Sequence, residues 1–228
     1  MTKFSDITEK EEDYWSKKEE FDWLSTKSIK SILGLVPKPK GVALELCSGS
    51  GMFTRYMDIN KCSKYTCLDL SQKLLDRLKV IRKEIEIKRG DAQKLDFKEQ
   101  SIDGIYIFAG LHHLPNRGAC LLKSYKILKR DGKFTCFEPN ADCFYRKSMM
   151  KMRNILGLYT EDETLLKPQV LAKNLEKIGF KKIRIKYITP NYRFKHVGLL
   201  YLLFIAMKII SIMPGRFFQT FFIITCEK

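Results

Sequence analysis

The stretch LELCSGSGMF, residues 44–53, sets the reading of everything around it. An apolar run that begins at Val42 ends at Cys47 and opens directly into Ser48-Gly49-Ser50-Gly51. Glycine at 49 and 51 lets the backbone approach a ligand closely. The spacing predicts a strand, a tight turn and a helix from about Met52, whose first turn would present unpaired N–H groups. The order E-x-C-x-G-x-G is not the G-x-G-x-x-G of a dinucleotide-binding turn, because no third glycine stands at the right place and Glu45 precedes the turn. A carboxylate there is ill suited to a pyrophosphate and better suited to a cationic amine.

Downstream, short apolar runs alternate with helical stretches. YTCLDL (65–70) reads as a second strand, followed by a helix from about Ser71 through LLDRLKVIRK. IEIKRG (85–90) and SIDGIYIFAG (101–110) follow, then a helix over about 117–129, and KFTCFEP (133–139) after the turn at Asp131-Gly132. This alternation predicts an α/β fold with a doubly wound, mostly parallel sheet. Asp69 ends the second strand 18 residues after Gly51, where a ribose diol is gripped in such sheets. Asp91 follows the third strand in GDAQKL. Three acidic residues at successive strand ends form one coherent set.

The flanks differ in character. Residues 1–40 read as an N-terminal helical cap, with an amphipathic pattern over 8–33 that Pro37 and Pro39 terminate; Tyr14 and Trp15 in it pack on the sheet or close over a ligand. Residues 41–228 read as the main domain, interrupted at about 140–166 and 189–216. Both interruptions exceed ordinary loop length and predict covers over the strand ends. The first predicts a helix over 144–159, with Arg146, Lys147, Lys151 and Arg153 beside Met149, Met150 and Met152. The second carries VGLLYLLFIAM (197–207), continuing to Met213. With Lys208 inside it, this segment is too short for a membrane span and reads as a buried or membrane-lying helix. Residues 167–178 predict a helix ended by Gly179, 180–188 a strand, and 217–228 a final aromatic strand.

Forty-two basic against 26 acidic residues give +16, and residues 141–228 alone hold sixteen basic and six acidic. An anionic partner would be felt there most strongly. The seven cysteines are odd in number, form no CxxC pair and in several cases sit inside apolar strand-like runs, which argues against a disulfide framework or a zinc site and predicts reduced thiols in a cytoplasmic setting, with no metal. No apolar secretion signal opens the chain.

Residues 41–139 resemble the class I S-adenosylmethionine-dependent methyltransferases of the small-molecule type 11 kind. The first motif matches LELCSGSG, with Glu45, Gly49 and Gly51 at the matching positions. The resemblance implies that this turn cradles the methionine part of S-adenosyl-L-methionine, with Glu45 near its amino group. It implies that Asp69, beside Leu70, holds the ribose hydroxyls, and that Asp91 and Ala92 flank the adenine. SIDGIYIFAGLHHL, with Phe108, and KILKRDGKFTCFEPN match the fourth- and fifth-strand motifs. Two departures stand out. Cys47 occupies a position where this family usually has glycine, and Arg130-Asp131-Gly132 replaces Pro-Gly-Gly. The fold this implies is a seven-stranded Rossmann-like sheet whose last strand runs antiparallel.

For chemistry, His112 and His113 follow the fourth strand and are the base candidates; the alternative is that one caps the turn or packs beneath the cofactor. Glu138 orients an acceptor or anchors a loop. His196, alone before the apolar segment, suits a structural role. The resulting expectation is methyl transfer, favoured at oxygen, to a small hydrophobic or amphiphilic, lipid-like acceptor, releasing S-adenosyl-L-homocysteine, with membrane contact through 197–213. The basic charge also admits an RNA or tRNA methyltransferase, although no Asn-Pro-Pro-Tyr-type motif follows the fourth strand. A third reading is an inactive partner subunit, which the intact acidic set argues against.

Overall fold

The computed structural model describes residues 24–146, 165–191, 209, 213 and 215–228. Helix α1 spans Thr26–Leu33 and is capped by the Ser25 hydroxyl, which accepts from Ser28 N at 3.2 Å. Strand β1 is Gly41–Leu46, β2 is Cys62–Asp69, and α2 is Gln72–Ile81, whose first turn is capped by Ser71 accepting from Leu74 N. Strands β3 (Glu86–Arg89) and β4 (Ile102–Phe108) follow, then α3 (Arg117–Ile127) with Asn116 as its cap. β5 is Leu128–Pro139, α4 Pro168–Ile178, β6 Lys181–Ile188 and β7 Phe221–Glu227.

These strands form one seven-stranded sheet in the order β3-β2-β1-β4-β5-β7-β6. β1 to β5 pair in parallel, while β7 is antiparallel to both β5 and β6. The chain therefore winds outward from β1 in one direction and restarts beside it with β4. The C-terminal ends of the parallel strands share one edge, where ligands bind in such sheets. Alternation along β1 divides its side chains between two cores. Leu44 and Leu46 join the layer beneath α3 and α4, and Ala43 packs with Ile29, Ile32, Leu75 and Leu78 on the opposite face.

Three local expectations are corrected. No helix starts at Met52: a single 3-10 turn, Thr54–Tyr56, stands there, and Met57 is already extended at φ −69, ψ 128. Phe53 and Met57 are both drawn into the core, and Arg82 donates to the carbonyls of Thr54, Arg55 and Met57, taking up acceptors that a continuing helix would use. β5 begins at Leu128, before the Asp131-Gly132 turn, because Ile102 pairs with Leu128 across an irregular register. β7 begins at Phe221; residues 216–218 form a turn instead. Residues 1–23 of the cap expected over 1–40, with Tyr14 and Trp15, lie outside the described residues, as do residues 147–164 of the first cover, His196 and the run 197–207.

Candidate functional site

The Gly-rich turn leaves β1 through three residues of positive φ. Cys47 lies at 55°, Gly49 at 52° and Gly51 at 81°. At Gly51 an added Cβ would meet Leu78 Cδ1 of α2 at 2.2 Å, so only glycine fits between the turn and the helix. At Gly49 nothing lies within 4 Å of that position, leaving open space above the backbone. Asp69, at the end of β2, braces the turn: its Oδ2 accepts from Gly49 N at 2.8 Å and its Oδ1 from Ser71 N at 3.0 Å. Its carboxylate remains partly exposed, and Leu70 beside it is half-buried.

Asp91 lies beyond β3, partly exposed, accepting from Gln93 N at 2.8 Å and Gln93 Nε2 at 3.0 Å. The Gln93 Oε1 in turn accepts from Asn116 N at 2.7 Å, which ties this loop to the start of α3. Ala92 is buried. The structure thus brings Gly49, Asp69, Leu70, Asp91 and Ala92 to one edge of the sheet.

Glu45, expected near the amino group of the cofactor, is enclosed beneath the turn. It is 2% exposed and lies under the turn, where Thr54 Oγ1 donates within 2.9 Å of both its oxygens and Tyr65 Oη donates to Oε2 at 2.6 Å. Burial raises its pKa to about 7, against the lowering effect of these hydrogen bonds and of Arg82. Arg82 itself donates to the carbonyls of Thr54, Arg55 and Met57, closing the segment from outside. Thr54, Tyr65, Gln93 and Arg82 were not legible as site residues. Only folding brings Tyr65 and Arg82 against residues 20 to 28 positions away.

Phe108 ends β4 within an aromatic stack: its ring lies 4.5 Å from Phe53, which is tilted against Phe137 at 5.4 Å. It is 7% exposed and forms the floor of the edge. Beyond it, Ala109 turns at φ 54 and hydrogen-bonds Phe137 O at 2.7 Å. The chain then wraps around Glu138, which is fully buried. One carboxylate oxygen accepts from Gly110 N (3.1 Å) and Leu111 N (2.8 Å), and the other lies 2.7 Å from His112 Nδ1. Against a carboxylate, which only accepts, Nδ1 is the donor, and in a neutral imidazole held this way the lone pair falls on Nε2. The His112 and His113 rings lie 4.0 Å apart; His112 is 4% exposed and His113 partly open. Glu138 therefore anchors the post-β4 loop, one of the two alternatives posed for it, and its second oxygen pairs with the His112 imidazole.

This edge offers an open backbone turn, partly exposed carboxylates at two strand ends and a carboxylate-held imidazole. Among the described residues no group of His, Cys, Asp and Glu could hold a metal ion, and no helix is long and apolar enough to cross a membrane. All seven cysteines are free thiols, and burial, followed by the Asp69 carboxylate, pushes the Cys47 thiol well up.

Residues 44–136 match the family described as "Methyltransferase domain". A demethylmenaquinone methyltransferase from Lactobacillus johnsonii is 29% identical over 182 residues, 69% of this chain and 75% of that protein. Two solved structures share the fold. A SAM-dependent methyltransferase from Archaeoglobus fulgidus superposes with a TM-score of 0.67 at 17% identity, covering 94% of this chain and 99% of the other. One from Mesorhizobium loti gives 0.64 at 17%, covering 88% and 98%.

Proposed function

We propose that this chain, a member of the S-adenosylmethionine-dependent methyltransferases, transfers the methyl group to a small hydrophobic, lipid-like acceptor bearing a ring hydroxyl, with His112 as the base. The observation that carries the reading is the Glu138–His112 pair at the sheet edge, 2.7 Å from carboxylate to ring nitrogen. A related protein is named for demethylmenaquinone, and the apolar run 197–207 suits the same class of acceptor.

The residues present fit the methyl donor. The space above Gly49 admits its amino-acid part against the backbone, beside Cys47 and Gly51. Asp69, partly exposed at the end of β2, would hold the ribose hydroxyls, and Leu70, Asp91, Ala92 and Phe108 at the same edge would take the adenine. Glu45 supports the turn from below through Thr54. Bound there, the donor supplies an electrophilic methyl group and leaves as S-adenosylhomocysteine. Glu138 keeps the lone pair of His112 on Nε2, where it takes the proton of the acceptor's hydroxyl. The electron pair of that O–H bond would then attack the sulfonium methyl from oxygen, the favoured atom, or through the adjacent ring carbon, as the S–CH3 bond breaks. In the carbon case the ring C–H proton would leave to water while protonated His112 returns its proton to oxygen. Burial of His112 and Phe108 keeps water from competing. The stretches 140–166 and 189–216 would cover the acceptor, and His113, on the open side of His112, would contact it.

Turnover with labelled S-adenosylmethionine and a short-chain demethylmenaquinol tests this. Replacing the base, His112→Ala, should lower kcat about 100-fold or more, with S-adenosylhomocysteine affinity unchanged within about threefold. Glu138→Gln should lower kcat less and shift its pH profile, because it alters the tautomer-setting partner. Unchanged turnover in His112→Ala would remove the base assignment. Product analysis separates oxygen from carbon methylation.

A further inference from the structure

At the same edge, the chain segments that leave β5 and enter β7 are fastened into one platform. Asn140 is fully buried, and its Nδ2 donates to Arg216 O at 2.6 Å and Gln219 O at 2.8 Å. Tyr145 Oη donates to Phe218 O at 2.9 Å, and the buried Arg146 donates to Thr220 O at 2.9 Å while covering the Phe221 ring. Phe144 N bonds to Phe217 O at 3.1 Å, and Ala141 N to Leu166 O at 2.9 Å. Four side chains, Asn140, Tyr145, Arg146 and, through Met213 O, Gln219, hold these turns in place.

What the platform presents is apolar. Phe144 is 55% exposed and Phe217 49%, on turns joined by a backbone hydrogen bond; Met213 is 52% exposed and tied to the same turn by Gln219. A loosely held loop could leave one phenylalanine in water at little cost. Rigidly holding several large apolar groups there marks an interaction site. Among the described residues the rim carries the Arg216 guanidinium, 4.5 Å above the Phe217 ring, and Lys167, exposed beside Leu166, with the acid Asp142 nearby in sequence. Across residues 141–228 basic groups exceed acidic ones by sixteen to six.

We infer that this platform docks the protein on an anionic phospholipid bilayer. Aromatic rings settle at the headgroup level, and arginine and lysine beside them meet lipid phosphates. A second copy would bring the same excess of basic groups to the contact, and like-charge repulsion disfavours it. The inference rests on the lipid-like acceptor proposed above. Since β5 and β7 deliver the platform to the edge that carries His112, docking would set the acceptor site against the membrane from which such an acceptor must be drawn.

Co-sedimentation of the full chain with vesicles tests it, comparing phosphatidylcholine alone with phosphatidylcholine containing phosphatidylglycerol. The wild-type protein should bind the anionic vesicles at least tenfold more tightly, and raised salt should weaken this. Phe144→Ser with Phe217→Ser should lose about tenfold or more of that binding, while far-UV circular dichroism and S-adenosylhomocysteine affinity stay unchanged. Wild-type binding to anionic vesicles that the double substitution leaves intact would overturn the inference, as would no binding at all. So would a concentration-dependent dimer that the same substitutions dissolve, without vesicle binding. If vesicle binding fails but the short-chain acceptor is still turned over through His112, the membrane inference alone falls. If vesicles bind and turnover does not depend on His112, the acceptor mechanism falls instead.

Discussion

Cys47 and Gly110 belong together. Cys47 holds a left-handed backbone that costs an L-residue about 1–2 kcal/mol, at a position where glycine would carry no such cost. A Cβ on Gly110 would sit 2.4 Å from the Cys47 Cβ, and its next contacts would be at 3.4 Å. Gly110→Ala should therefore destabilise the protein by about 1–3 kcal/mol. Cys47→Gly alone should change stability by under about 1 kcal/mol, since relief of strain offsets the added freedom of the unfolded chain. Combined, the two should recover most of the loss, giving a coupling of about 1 kcal/mol or more in a denaturant-unfolding cycle. Additive losses would show that the clash is relieved elsewhere. Cys47 was legible as a departure from the resembled family. Its partner was not, because Gly110 lies 63 positions along the chain and meets it only across paired strands β1 and β4.

The element that decides the site is the segment from the Gly-rich turn to Met57. Its sequence has the apolar spacing of a helix start, yet it forms one 3-10 turn clamped by Glu45 from inside and Arg82 from outside. Glu45 leaves a pH signature. Its carboxyl has a pKa of about 7 in the folded protein against an ordinary glutamate value of 4.5. Between those values the unfolded chain loses a proton that the folded protein keeps, so stability falls as pH rises from about 4.5 to 7 and is level above. The drop is on the order of 3 kcal/mol. Glu45→Gln removes it: the stability difference, variant minus wild type, should grow by that order between about pH 4.5 and 7.5 in urea unfolding. A pH-independent difference would mean that Glu45 is ionised in the folded state.

At the scale of the molecule, the reversed strand order places β1 and β4 side by side, with the β1 turn on one side of the switch and the His112 loop on the other. A ligand bridging them stabilises the whole sheet, because it binds the folded chain alone. S-adenosylhomocysteine at about a hundred times its Kd should add about 2.7 kcal/mol, raising the thermal midpoint by roughly 5–10 °C. The Asp69→Ala variant should show a smaller shift at equal ligand concentration, as it removes the brace of Gly49 and the proposed ribose contact. An equal shift would place the ribose elsewhere.

The sequence by itself determined the alternating elements and the parallel sheet, because hydrophobic periodicity, glycine punctuation and caps such as Ser71 and Gly179 act over a few residues. It also placed the acidic residues at successive strand ends, since a strand's end can be read from where its apolar run stops. Tertiary structure alone decided what those groups touch. Glu45 is enclosed by Thr54 and Tyr65, Glu138 is wrapped by the chain after β4, and Asn140 fastens two turns that are 76 positions apart. Each outcome depends on which strands become neighbours. Buried polar groups must find partners wherever the completed sheet brings them, and no local pattern in the chain encodes that adjacency.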